Sequence, residues 1–173
     1  MEGPIDRALL VAGPTVVRSA LRPSLAPLAE ALRAGGRPPA IRQAEAGIGP
    51  GALTRAVEVA AAATGVSWCV VVGAARDGDD GLALVLDAAD GRDGVWPLRQ
   101  LSRPGPAVPV AIAIVDAAPG LTADAVLVAL GDAGLRIAVV AGDGGAAAVD
   151  ALAAGLRGAA LDLRRGAVTA RSL

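Results

Sequence analysis

The sequence predicts an α/β fold, a three-layer Rossmann-like domain in which a mostly parallel β-sheet lies between two layers of helices. Short apolar runs, which suit strands buried on both faces, alternate along the chain with segments of helical periodicity. Most of the connections are short and rich in glycine, proline and aspartate. This alternation is typical of a parallel sheet covered on both faces. At 173 residues, the whole chain, 1–173, is expected to form a single α/β domain.

The first strand is predicted at Arg7–Gly13, where the run RALLVAG ends at a Gly-Pro pair. Leucines spaced by four, three and four residues then predict a helix over about Leu25–Ala34. Ser24 is the expected N-cap, and Pro27 falls in the first turn, where its missing N–H does no harm. A weaker strand is predicted at Ala40–Ala44.

A second amphipathic helix is predicted before Gly65, which ends it. The clearest central strand, VSWCVVVG, follows at Val66–Gly73. The stripe that predicts the helix consists of Leu53, Val57, Ala60 and Thr64.

The segment 76–106 is expected to be an irregular insertion or hairpin, because it is rich in aspartate, glycine, arginine and proline. Its Asp-Gly pairs are turn signals, and the run LALVLDA between them fits either an antiparallel return strand or a helix. We favour the strand, which predicts one antiparallel hairpin near residues 66–90.

The last third of the chain repeats the alternation. A strand is predicted at Val108–Val115, ending at Asp116, and a helix from its cap Thr122 to Gly134. The remaining predicted elements are a strand at Leu135–Ala141, a helix at Ala146–Leu156 and a strand at Ala159–Leu163.

The charge balance excludes some classes of partner. The formal net charge of -1 gives no electrostatic attraction to nucleic acid or to an anionic membrane surface. No signal peptide is indicated, and the single Cys69 cannot form an internal disulfide. We therefore expect a cytoplasmic protein that binds neither nucleic acid nor membrane.

The residue types that are missing narrow the chemistry. The sequence contains no histidine, lysine, tyrosine, phenylalanine or asparagine, a bias that a GC-rich, bacterial genome would explain. A Ser-His-Asp relay, a Schiff base and a P-loop lysine are therefore excluded. Whether the chain is an enzyme stays open, and an enzyme would use carboxylate- and Mg²⁺-assisted phosphoryl transfer or hydrolysis.

The loop AGDGGA offers a candidate cofactor site. Gly142, Gly144 and Gly145 fit a glycine-rich turn between a strand and a helix, and Asp162 lies twenty residues beyond the first glycine. This pattern is typical of nucleotide binding through the helix N-terminus. Asp143 favours the alternative, a turn and packing role, because its charge would repel a phosphate.

Three acidic residues follow predicted strands or turns at one edge of the sheet. Asp116, Asp143 and either Asp79 or Asp80, of which we choose Asp80, could provide oxygen ligands for Mg²⁺. The alternative is that these aspartates cap helices and initiate turns.

Arginines around the insertion could bind an anionic ligand through bidentate hydrogen bonds, or could form a solvated surface. They are Arg76, Arg92, Arg99 and Arg103.

These features predict an α/β domain that binds a small anionic ligand, such as a nucleotide or a phosphorylated metabolite, at its glycine- and aspartate-rich strand ends. The alternative is a non-catalytic or degenerate subunit that acts through protein–protein assembly, as a homo-oligomer or with a partner subunit.

Overall fold

The computed structural model describes residues 5–14, 24–34, 39–44, 48–87, 93–102, 105–131 and 134–159. The strands are β1 (Ile5–Ala12), β2 (Ala40–Ala44), β3 (Gly65–Gly73), β4 (Ala75–Gly78), β5 (Gly81–Asp87), β6 (Asp93–Pro97), β7 (Ala107–Asp116) and β8 (Leu135–Ala141). The helices are α1 (Ala26–Arg33), α2 (Pro50–Ala61), α3 (Ala123–Ala129) and α4 (Ala146–Ala154), with a 3₁₀ turn at Leu98–Ser102.

Five parallel strands form the central sheet in the order β2-β1-β3-β7-β8. When the inserted strands β4 to β6 are left out of the count, this is one of the two common strand orders of doubly wound α/β domains. Helices α1 and α4 pack on one face, and α2 and α3 pack on the other. The predicted α/β fold with a mostly parallel, doubly covered sheet is confirmed.

The central strands are apolar on both faces, as their continuous apolar runs predict. In β7, Val110, Ile112 and Ile114 pack in the cluster that includes α1, while Ala111 and Ala113 pack in the cluster that includes α2. All five are at most 1% exposed. Successive side chains of a strand point to opposite faces, so this one run serves both cores.

The insertion folds as a small antiparallel sheet in the order β4-β5-β6. The return strand predicted within LALVLDA is present as β5, and it pairs with β4 on one side and β6 on the other. Val85 N donates to Ala74 O at 2.9 Å, which ties the small sheet to the end of β3. After β6, Leu98 and Leu101 are buried in the same cluster as α2.

The ends of α3 and α4 differ from the sequence prediction. Helix α3 ends at Ala129 and not at Gly134, because Gly131 already adopts a φ of 75° that turns the chain out of the helix. Helix α4 continues into a wider turn at Gly155–Ala159. Beyond its first residue, the strand predicted at Ala159–Leu163 lies outside the described residues.

Candidate functional site

The two central strands β3 and β7 run parallel and end at the same edge of the sheet. Ala74 and Ala75 follow β3, and Ala117 and Ala118 follow β7. Ligands of open parallel sheets gather beyond this edge, so side chains there are the expected source of chemistry. The methyl groups of these four alanines can neither transfer a proton nor attack a substrate. Asp116, the last residue of β7, is 2% exposed, so its carboxylate has little contact with solvent.

A groove of about 1050 Å³ opens beside these strand ends. One wall consists of β4, the hairpin turn that follows it and the start of β5. The other wall consists of α3 and the loop that precedes it. The groove is therefore built by the insertion on one side and by the β7–α3 connection on the other.

Four charged residues line the groove, and their formal charges cancel. Arg76 and Asp77 lie on β4, Asp80 lies in the hairpin turn, and Arg99 comes from the 3₁₀ turn. Arg99 Nη2 lies 2.8 Å from Asp80 Oδ1, with both side chains more than half exposed. Of the four arginines singled out in the sequence, Arg76 and Arg99 thus line one groove. The other two, Arg92 and Arg103, lie outside the described residues.

The three predicted magnesium ligands are not brought together. Asp80 lies in the β4–β5 turn and pairs with Arg99, Asp116 ends β7, and Asp143 follows β8. In the part of the chain that the structure describes, no group of three or more histidine, cysteine, aspartate or glutamate residues could hold a metal ion. The alternative role for Asp143, capping a helix, is the one that its hydrogen bonds support.

The glycine-rich loop after β8 forms the N-terminus of α4, and Asp143 occupies part of it. Asp143 Oδ1 accepts from Gly145 N at 3.0 Å, and Oδ2 accepts from Ala147 N at 2.9 Å. These two N–H donors are among those that a bound phosphate would need. The hydrogen bond from Ala147, and to a smaller extent that from Gly145, lowers the pKa of the Asp143 carboxyl. The carboxylate therefore stays charged at the position where a phosphate would lie.

Gly145 is required by the packing of this loop on the sheet. A Cβ at Gly145 would lie 2.7 Å from Ile114 Cγ2 and 2.8 Å from Val72 Cγ1, and its φ is 82°. Gly144 also has a positive φ, of 74°, whereas Gly142 has open space around it. Asp162, the predicted ribose ligand, lies outside the described residues.

Sequence reasoning located one wall of the groove and missed the other. Helix α3, predicted from its cap Thr122, turns the face with the buried Val126 towards the core. Val128 lies outside that face, lines the groove and is 79% exposed. An apolar residue on the solvent side of an otherwise amphipathic helix is the signal that could have identified this wall.

The comparisons with known proteins assign no family to this arrangement. No helix within the described ranges is long and apolar enough to cross a membrane. No protein-family model, no curated protein and no solved structure matches the chain.

Proposed function

We propose that the chain is a non-catalytic binding domain that acts through protein–protein assembly, and that its groove holds an extended segment of a partner polypeptide. The observation that carries the proposal is the edge of β4, which forms a wall of the groove. The apolar wall opposite this edge and the alanines at the strand ends also support it.

The edge of β4 offers hydrogen-bonding groups to an extended segment. Three consecutive residues, Ala75, Arg76 and Asp77, line the groove. Side chains of neighbouring residues in a strand point to opposite faces of the sheet. Because three consecutive residues line the groove, the groove reaches the edge of β4 as well as one of its faces. Within the described residues β4 pairs only with β5. Its outer N–H and C=O groups are therefore suited to pair with an added strand, as in β-augmentation.

The opposite wall is suited to side chains of the same segment. Val128 and Ala125 are exposed on α3, and Pro119 and Leu121 lie in the preceding loop. A bound segment that removes this apolar surface from water would gain about 25 cal/mol of free energy per Å² covered. Because the charges of the groove cancel, it favours a polypeptide over a polyanion.

The non-catalytic part of the proposal rests on residue types. The sequence has no histidine or lysine to activate a nucleophile. At the edge where an α/β enzyme would carry its reactive groups, β3 and β7 are followed by alanines. Binding without chemistry is the activity that these residues support.

Peptide selection tests the proposal. A phage-displayed peptide library is panned against the full chain, and the enriched peptides are synthesised and titrated against two variants. Ala125→Trp places a large side chain in the groove, whereas the matched control Ala123→Trp adds one at an exposed position of the same helix that does not line the groove. We expect binding to weaken by roughly tenfold or more, about 1.4 kcal/mol, in the first variant only. Equal binding to both variants, or no enriched peptide, would overturn the proposal.

A small anionic ligand is the second candidate, because Arg76 and Arg99 both line the groove. A thermal-shift screen of nucleotides and sugar phosphates, with and without magnesium, tests it. A ligand that binds the folded state raises Tm by mass action, and Arg76→Ala should abolish that rise. A flat response across the panel, together with groove-dependent peptide binding, would decide between the two candidates.

A further inference from the structure

The two edge strands of the central sheet differ in chemistry. Natural sheets usually carry charges on free edges, which prevent pairing with another chain. Strand β2, AIRQA, follows this rule, since Arg42 and Gln43 are exposed on it. Strand β8, LRIAVVA, has six apolar residues out of seven, and all seven are half-buried. Among the described residues its only partner strand is β7.

The one charged residue of β8 does not protect the edge. The guanidinium of Arg136 donates to Leu127 O at 3.2 Å and also to Gly131 O. Leu127 lies in the last turn of α3 and Gly131 lies just beyond the helix, where a cation is favoured by the helix dipole. Arg136 is therefore held against its own chain, and β8 brings little charge to its outer edge.

Both faces of β8 belong to the two cores. Ile137 and Val139 pack against the cluster that includes α1 and α4, and Ala138 and Val140 pack against the cluster that includes α2 and α3. A partner strand added at this edge would continue the sheet and extend both cores.

We infer that β8 is the interface of a homodimer, in which the β8 strands of two copies pair antiparallel across a two-fold axis that is perpendicular to the sheet at Ala138. Ala138 is the middle residue of Leu135–Ala141, so this register pairs the whole strand. Ile137 then lies opposite Val139 of the second copy.

A second copy fits this edge for two reasons. The two-fold axis places residues of the same parity opposite each other, so each apolar face of β8 continues into the same face of its copy. In this register, apolar residues of one copy lie opposite apolar residues of the other. Arg136 lies opposite Val140 of the second copy, so the two arginines do not face each other.

A lysine introduced on β8 tests the interface, and a lysine introduced on β2 is its control. Val139→Lys introduces a charge on β8, and Ile41→Lys is the matched control, because Ile41 is half-buried on the other edge strand and packs against the same cluster. In sedimentation equilibrium we expect wild type and Ile41→Lys to have twice the mass of one chain, and Val139→Lys the mass of one. Circular dichroism of each variant checks that it is folded. A wild-type monomer, or a folded Val139→Lys dimer, would overturn the inference.

A disulfide tests the register. Directly opposite residues of an antiparallel pair have Cβ atoms about 4.5–5.5 Å apart, close enough for a disulfide after a small adjustment. Under oxidised glutathione, Ala138→Cys should form a covalent dimer, and the control Ala40→Cys on β2 should not. Equal cross-linking of both variants, or none with Ala138→Cys, would contradict the register. A monomer whose β8 amides exchange slowly would show that another part of its own chain covers the edge, which would also overturn the inference.

Discussion

The indole Nε1 of Trp96 donates a hydrogen bond of 2.9 Å to the hydroxyl of Thr54. Trp96 lies on β6 and is 1% exposed, whereas Thr54 lies on α2. The contact therefore holds the small antiparallel sheet, which carries one wall of the groove, against a helix that covers the central sheet.

Removing the hydroxyl of Thr54 should destabilise the fold. Thr54→Val keeps the shape of the side chain but leaves the buried N–H of Trp96 without its acceptor, which costs about 1–3 kcal/mol. Urea unfolding followed by tryptophan fluorescence gives the change in the free energy of unfolding. Thr54→Ser retains the hydroxyl, so its free energy of unfolding should fall by less. Equal stability of the valine and serine variants would show that the hydrogen bond contributes little.

Gly145 should not tolerate a side chain. In Gly145→Ala the Cβ would clash with Val72 and Ile114 at distances below 3 Å, on a backbone with a φ of 82°. A left-handed conformation costs a non-glycine residue about 1–2 kcal/mol, and overpacking adds about 1–3 kcal/mol. Thermal unfolding should show a clear loss of stability for this variant and almost none for Gly142→Ala, where the space is open. Similar losses at both positions would argue against the packing role.

The parallel part of the fold could be predicted because its strands are apolar on both faces. Runs such as VSWCVVVG are visible without knowledge of their neighbours. Strand β4, ARDG, has no such pattern, and it is a strand because Ala75 and Arg76 pair with Leu84 and Ala83 of β5. The same dependence on tertiary pairing applies to β6, which was not predicted either.

The candidate site was less predictable, since it depends on how the insertion folds. Residue type alone singled out Arg99 and Asp80, but their ion pair joins the 3₁₀ turn to a hairpin turn. By sequence, the glycines after β8 fit either a nucleotide loop or a turn that packs on the sheet, and the charge of Asp143 favours the turn. The close approach of Gly145 to Val72 and Ile114, which no local pattern encodes, supports the packing role.

Cys69 should be inert towards thiol reagents in the folded protein. It is 3% exposed in the core, and burial raises the pKa of its thiol to about 11. The thiolate is the reactive form, so both access and ionisation are suppressed at pH 8. A chromogenic disulfide reagent should therefore react at the rate of unfolding, and rapidly in guanidinium chloride. Fast reaction of the native protein would contradict the buried position of β3.

The contribution of Asp143 to stability should depend on pH. Its hydrogen bonds from Ala147 and Gly145 lower the pKa of the carboxyl in the folded state. Since the folded-state pKa lies below that of the unfolded chain, about 3.9, the carboxylate stabilises the fold above that pH, and the contribution is lost as pH falls through the folded-state pKa.

Denaturant unfolding at several pH values measures this dependence. Asp143→Ala should be less stable than wild type at pH 7, and the difference should narrow as the pH is lowered below about 4. Asp150→Ala is the control, because Asp150 is exposed on the same helix, away from its N-terminus. A difference between Asp143→Ala and wild type that is constant with pH would mean that Asp143 stabilises α4 without its charge. The N–H groups of Gly145 and Ala147 would then bind an anion more weakly than their hydrogen bonds to Asp143 indicate.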